Sequence, residues 1–107
     1  MIIEKDTCKL ALVQAAPVLF DAEQGVEKVV RTIEECAAHG AELIVFPELL
    51  IPGYPYGMTF GYTVGSRTPE GRTDWKAYHD ASLLADGPEM QRIADCAARC
   101  GVYVSLG

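Results

Sequence analysis

The chain has 107 residues, half of them hydrophobic, with a formal net charge of -6 and a sequence pI near 4.7. That is enough for one globular domain at most, below the usual size of a complete α/β enzyme, and the scattered lysines and arginines form no basic stripe for nucleic acid. No apolar run reaches the length of a membrane span and the opening MIIEKDTCKL carries no signal-peptide core, so a cytosolic chain without a membrane partner is expected.

Residues 9–15, KLALVQA, read as a strand whose contiguous apolar residues suit a central position in a parallel sheet, covered on both sides. Pro17 breaks the pattern. Asp21 followed by Gln24 has the form of an N-cap and capping box, opening a helix with Val26, Val29, Val30, Ile33 and Ala37 on one stripe. His39 falls in its last turn, where capping explains it, and Gly40 supplies the left-handed stop. The next strand, 41–46, is another apolar run and ends where Pro47 removes a backbone donor.

Glu48 follows immediately, with Leu49, Leu50 and Ile51 beyond it and then a loop punctuated by Pro52, Gly53, Pro55 and Gly57. A carboxylate just past the carboxyl end of a buried parallel strand stands where open α/β sheets bind ligands. Its apolar sequence neighbours predict a poorly hydrated setting suited to general-base work, although a solvated loop acid is the more frequent meaning of such a position. Residues 54–74 are irregular, rich in glycine and aromatics, and read as a functional loop that either lines a pocket mouth above Glu48 or packs on a partner subunit.

Thr73 or Asp74 is expected to cap a short helix through Ser82, with Trp75 and Tyr78 as core aromatics and Lys76 and His79 on a solvated face. Asp86-Gly87-Pro88-Glu89 opens a further helix with the stripe Met90, Ile93, Ala94, Ala97 and Cys100, stopped by Gly101. Residues 102–106, VYVSL, form a third strand. The four cysteines read as reduced, buried thiols, and Cys96 with Cys100 lack the partners of a zinc site, so no metal is expected. Strands alternating with helices predict an α/β fold with right-handed crossovers.

The stretch FPELLIPGYP resembles the motif around the catalytic glutamate of the nitrilase superfamily, the carbon-nitrogen hydrolases, and its continuation PGYPYG is closest to the nitrilase branch. EGRTDWKAYHDASLL and DGPEMQRIADCAARCGVYVSLG resemble the segments that follow. The resemblance implies that residues 1–107 are a single incomplete domain, the amino-terminal part of a nitrilase-like α-β-β-α sandwich: three mostly parallel strands with helices on one face.

It further implies a Glu-Lys-Cys triad acting on a small nitrile or amide without a cofactor, in a homo-oligomer. Glu48 alone carries over, as the catalytic general base, with Tyr54 as a substrate-binding residue beside it. The family's lysine and cysteine lie on later strands. Lys76 with Cys96 or Cys100 is rejected as a substitute, because thiols on an apolar helix face are inert. The segment alone is thus expected to be inactive and, with one sheet face bare, to self-associate. The competing expectation is a complete, non-catalytic interaction module; Gly107, directly after a strand and without a polar tail, looks instead like a cut end.

Overall fold

The computed structural model describes residues 5–54 and 68–107. Its elements run β1 (Leu10–Leu12), α1 (Ala22–Ala38), β2 (Leu43–Val45), α2 (Pro69–Asp80), α3 (Pro88–Cys100) and β3 (Tyr103–Ser105). The strands form one sheet in the order β1-β2-β3, and both pairings are parallel. The expected α/β class is therefore what is found.

Among the described residues β1 stands at one edge of the sheet and β2 at its centre, whereas a central place is expected for residues 9–15. An unbroken apolar run does not distinguish the two positions, because successive side chains alternate faces. Register makes the alternation explicit. Ala11, Ile44 and Val104 form one row and belong to the core, with Ile44 wholly buried. The rows on either side, Leu10-Leu43-Tyr103 and Leu12-Val45-Ser105, project to the other face, where Leu10, Leu12 and Tyr103 are exposed among the described residues.

α1 forms because Asp21 caps it and its apolar stripe has somewhere to go. The Asp21 carboxylate accepts the Gln24 backbone N–H at 3.0 Å and the Gln24 side-chain amide at 3.1 Å, so the glutamine braces the cap through the carboxylate. Val26, Val29, Val30 and Ile33 are buried, as the stripe predicts. His39 closes the helix as C-cap with Nδ1 2.8 Å from the Glu35 carbonyl, and Gly40 takes the left-handed backbone at φ 88°.

α3 begins at Gly87 with Pro88 in its first turn and stops at Gly101, left-handed at φ 67°. Its buried residues are Ile93 and Cys96, whereas Ala94 is exposed and Cys100 half-buried. The stripe lies slightly round the helix from the one expected. α1 and α3 pack side by side over the Ile44 face, bridged on their outer surface by Arg92 with Glu27 and by Arg99 Nη2 with Glu34 Oε1 at 2.9 Å.

α2 starts earlier than expected. Thr68 accepts the Gly71 N–H at 3.1 Å and Pro69 fits the first helical position, so the cap precedes Thr73 and Asp74. Residues 69–74 of the expected loop are helical for that reason. Trp75 is exposed and stacks on His79 with centroids 5.0 Å apart, not in the core, while Tyr78 meets Phe20 edge to face at 6.0 Å. No helix among the described residues is long and apolar enough to cross a membrane.

Candidate active site

The carboxyl edge of the sheet is built by Pro47. On the β1 side, Val13 N–H donates to the Val45 carbonyl at 2.9 Å, and the following rung of that ladder would need an N–H from residue 47. Proline has none, so the pairing ends and the chain turns. On the β3 side, Phe46 N–H still donates to the Ser105 carbonyl at 2.9 Å. Glu48 is the first residue free of the sheet.

The turn that carries it is anchored on both sides. Leu49 has a left-handed backbone at φ 53°, strained for a residue with a side chain, and its carbonyl accepts the Gly53 N–H at 3.0 Å. Leu50 and Ile51 enter the core, and Ile51 packs against Gly25 of α1. Pro52 accepts the Phe20 N–H at 2.9 Å, while Gly53, at φ 111°, lies where a Cβ would come within 2.8 Å of Leu19 Cδ1. A side chain at 53 would drive the turn away from the 17–20 segment.

This geometry puts Glu48 at the strand end, as expected, with its side chain exposed. The poor hydration inferred from its apolar neighbours is not provided by the described residues. The left-handed step at Leu49 sends Leu50 and Ile51 inward and leaves Glu48 facing out. Beside it opens a cleft of about 360 Å³ walled by Leu49, Ile51, Leu83, Met90, Leu106 and Gly107. Gly107 touches the Glu48 backbone directly: a Cβ on it would stand 3.2 Å from the Glu48 Cα. None of Leu83, Met90, Leu106 or Gly107 carries a sequence signal that would have marked it; the crossover topology alone brings them to this edge.

Tyr54 follows the same turn and is exposed. Tyr56, Phe60 and Tyr62, the remaining aromatics of the expected pocket mouth, lie outside the described residues. Lys76 is paired with Asp80 on exposed α2. Cys96 is buried between α1 and α3, its Sγ 3.7 Å from the Val30 carbonyl, and burial first, then the neighbouring Cys100, pushes its thiol pKa up. The cysteines are all free, but Cys8 is exposed and Cys36 and Cys100 are half-buried, so the thiols are not uniformly buried. No group of three or more potential metal ligands occurs among the described residues.

A second depression, about 390 Å³, lies at the opposite edge and is lined by Lys5, Cys8, Glu42 and Tyr103 among others. Two of its charged groups, Lys5 and Glu42, satisfy each other. Glu42 pairs with Lys5 and accepts the Lys9 backbone N–H at 2.9 Å, and these two contacts hold its carboxyl pKa below the ordinary range. The cleft next to the Glu48 turn is the smaller of the two, yet it has the apolar walls expected of a small-molecule site, with Glu48 adjoining wall residue Leu49 and not itself in the lining.

Comparison with known proteins bears on the same residues. The chain is 42% identical over 99 residues to an aliphatic nitrilase of Sinorhizobium fredii, covering 92% of this chain and 32% of that protein. It is 39% identical over 101 residues to a bifunctional nitrilase/nitrile hydratase of Lupinus angustifolius, and 40% identical over 101 residues to nitrilase 1 of Arabidopsis thaliana. In both of these matches 94% of this chain and 29% of the relative are covered, so the chain spans about a third of the length of the curated relatives it matches. The sequence profile described as carbon-nitrogen hydrolase matches residues 9–107, a span that takes in all three strands, the Glu48 turn and the cleft walls. The chain belongs to the carbon-nitrogen hydrolase family.

Proposed function

We propose that the chain is the amino-terminal part of a nitrilase-type hydrolase and that Glu48 is its general base. The observation that carries this reading is the placing of one carboxylate at the carboxyl edge of a parallel sheet, on a turn pinned by Leu50, Ile51 and Gly53 and beside an apolar cleft. A general base needs that combination: a fixed backbone, so that little reorganisation accompanies proton transfer, and access to a bound small molecule.

In the reaction proposed, a cysteine thiol from the later part of the protein attacks the nitrile carbon. Glu48 accepts the thiol proton, and the nitrile nitrogen becomes protonated as the thioimidate forms. One water adds to that carbon and ammonia leaves; a second water then releases the carboxylic acid and restores the thiol. Glu48 removes the proton from each attacking water. A lysine from the later part stabilises charge developing on the substrate. The apolar cleft favours a substrate whose body is hydrocarbon, and exposed Tyr54, which follows Gly53 in the chain, is the side chain proposed to contact it. The exposed row of Leu10, Leu12 and Tyr103 favours a further layer of the same polypeptide over a chain that works alone.

The test is ammonia release by the longer hydrolase. Glu48→Gln keeps the shape and removes the base, and should cut turnover by about 10²–10⁴-fold while nitrile binding persists. Wild-type turnover in that variant would overturn the assignment. The 107-residue chain alone should release no ammonia from nitriles, and turnover by it that depends on Glu48 would refute the division of the triad.

A further inference from the structure

Gly107 lies against the Glu48 backbone without belonging to its turn. Extending the β2–β3 register from Val45 with Ser105 brings residue 107 level with Pro47, where the chain is already leaving the sheet. The two backbones are then so close that a Cβ on residue 107 would sit 3.2 Å from the Glu48 Cα and 3.9 Å from its N and Cβ. Ordinary contact between carbon atoms is about 3.5–4.0 Å, so a methyl group there displaces one chain by several tenths of an ångström.

The displaced atom is backbone, with no rotamer to absorb the push. Pro47 fixes its own φ on one side of Glu48, and on the other the left-handed Leu49 leads into buried Leu50 and Ile51. The Glu48 backbone is gripped between these anchors, and a shift of its Cα carries the carboxylate with it.

We propose that Gly107 is a positioning residue for Glu48: the missing side chain lets β3's continuation close against the Glu48 backbone and sets where the carboxylate stands at this edge of the sheet. The proposal rests on Glu48 acting as the general base, and its reach is geometric. A misplacement of about 1 Å costs on the order of 10²-fold in rate, so several tenths of an ångström should cost roughly tenfold.

The experiment compares Gly107→Ala with Gly101→Ala in the longer hydrolase. Gly101 is left-handed at φ 67° with nothing near its missing Cβ, so alanine there strains only the backbone. Gly107→Ala should lower kcat about tenfold, shift the acidic limb of the kcat profile and leave KM and thermal midpoint close to wild type. Gly101→Ala should lower the thermal midpoint and leave kcat per folded molecule unchanged. Wild-type kcat and acidic limb in Gly107→Ala, or a loss matching only its unfolded fraction, would overturn the proposal.

Crystal structures separate this from a failure of the general-base reading. If Glu48→Gln is fully active, the base is elsewhere, and the Glu48 Cα in Gly107→Ala still decides the spacing. Displacement by several tenths of an ångström supports the positioning, and an unmoved Cα refutes it.

Discussion

Truncating two aliphatic residues on opposite faces of the same sheet measures how one-sided its burial is. Ile44 is 0% exposed and Leu12 is 74% exposed, although both lie in strands paired side by side. Removing a fully buried isoleucine down to alanine costs about 2–5 kcal/mol, from lost transfer energy plus the cavity left behind. Full burial of a leucine is worth about 1.5–3 kcal/mol, and only a quarter of Leu12 is out of water, so Leu12→Ala should cost roughly 0.4–0.8 kcal/mol. For a chain of this size a urea m-value of about 1 kcal/mol per molar turns those figures into midpoint losses of at least 2 M and under 1 M respectively. Equilibrium unfolding at low protein concentration, followed by circular dichroism, reads both. In the longer hydrolase the Leu12→Ala cost should rise to about 2–3 kcal/mol as the face becomes covered. Equal costs for the two variants in the 107-residue chain would refute one-sided burial, and an unchanged small cost in the longer protein would refute the covering layer.

Asp21→Ala removes the acceptor for the Gln24 N–H and should destabilise the chain by about 1 kcal/mol, read by the same unfolding assay. The Glu42 carboxyl is held low by Lys5 and then by the Lys9 N–H, so its contribution is present at neutral pH and above the ordinary glutamate range. It is lost as pH falls through the depressed folded value, because the unfolded chain binds its proton first. The stability gap between wild type and Glu42→Gln should therefore narrow below about pH 4, and a gap that widens on acidification would contradict the pairing. Iodoacetamide followed by peptide mass spectrometry should label exposed Cys8 first and Cys96 last, the latter only at the rate of opening of the α1–α3 interface.

Local signals carried most of the architecture. Asp21 with Gln24, the valine stripe of α1, the two left-handed glycines and the proline after β2 each state a short-range rule that the folded chain obeys. What depended on distant partners was not legible. The apolar run at 9–15 is equally compatible with an edge and a centre, and its place at the edge among the described residues follows from its pairing with β2. The glycines and aromatics of 54–74 outweighed the Thr68-Pro69 cap, which asks for a helix before Thr73. Cys96 and Cys100 both border an apolar stripe, and the placement of α1 decides which is buried. At the site, the position of Glu48 was readable from Pro47, but its exposure was not, since that follows from a left-handed step at Leu49 that no leucine advertises. The contact with Gly107 joins two ends of different crossovers and has no local trace.

The two bridges across the outer helices have the same sequence separation, 65 residues, in both Glu27 with Arg92 and Glu34 with Arg99. Equal intervals mean that the helices travel in the same direction and in step, like two toothed racks meshed at points two turns apart. Each bridge is exposed and worth only about 0–1 kcal/mol. Their effect on alternatives is larger. Slipping by one turn one way sets Arg92 opposite Arg31 and frees Arg99, while the opposite slip gives Arg92 the acid Glu23 but sets Arg99 against Val30, so either slip loses at least one bridge. Since Gly101 hands α3 to β3 with almost no slack, a slipped rack would deliver the third strand out of phase with the second. A surface detail far from the chemistry thus guards the phase in which the two crossovers arrive at their common edge.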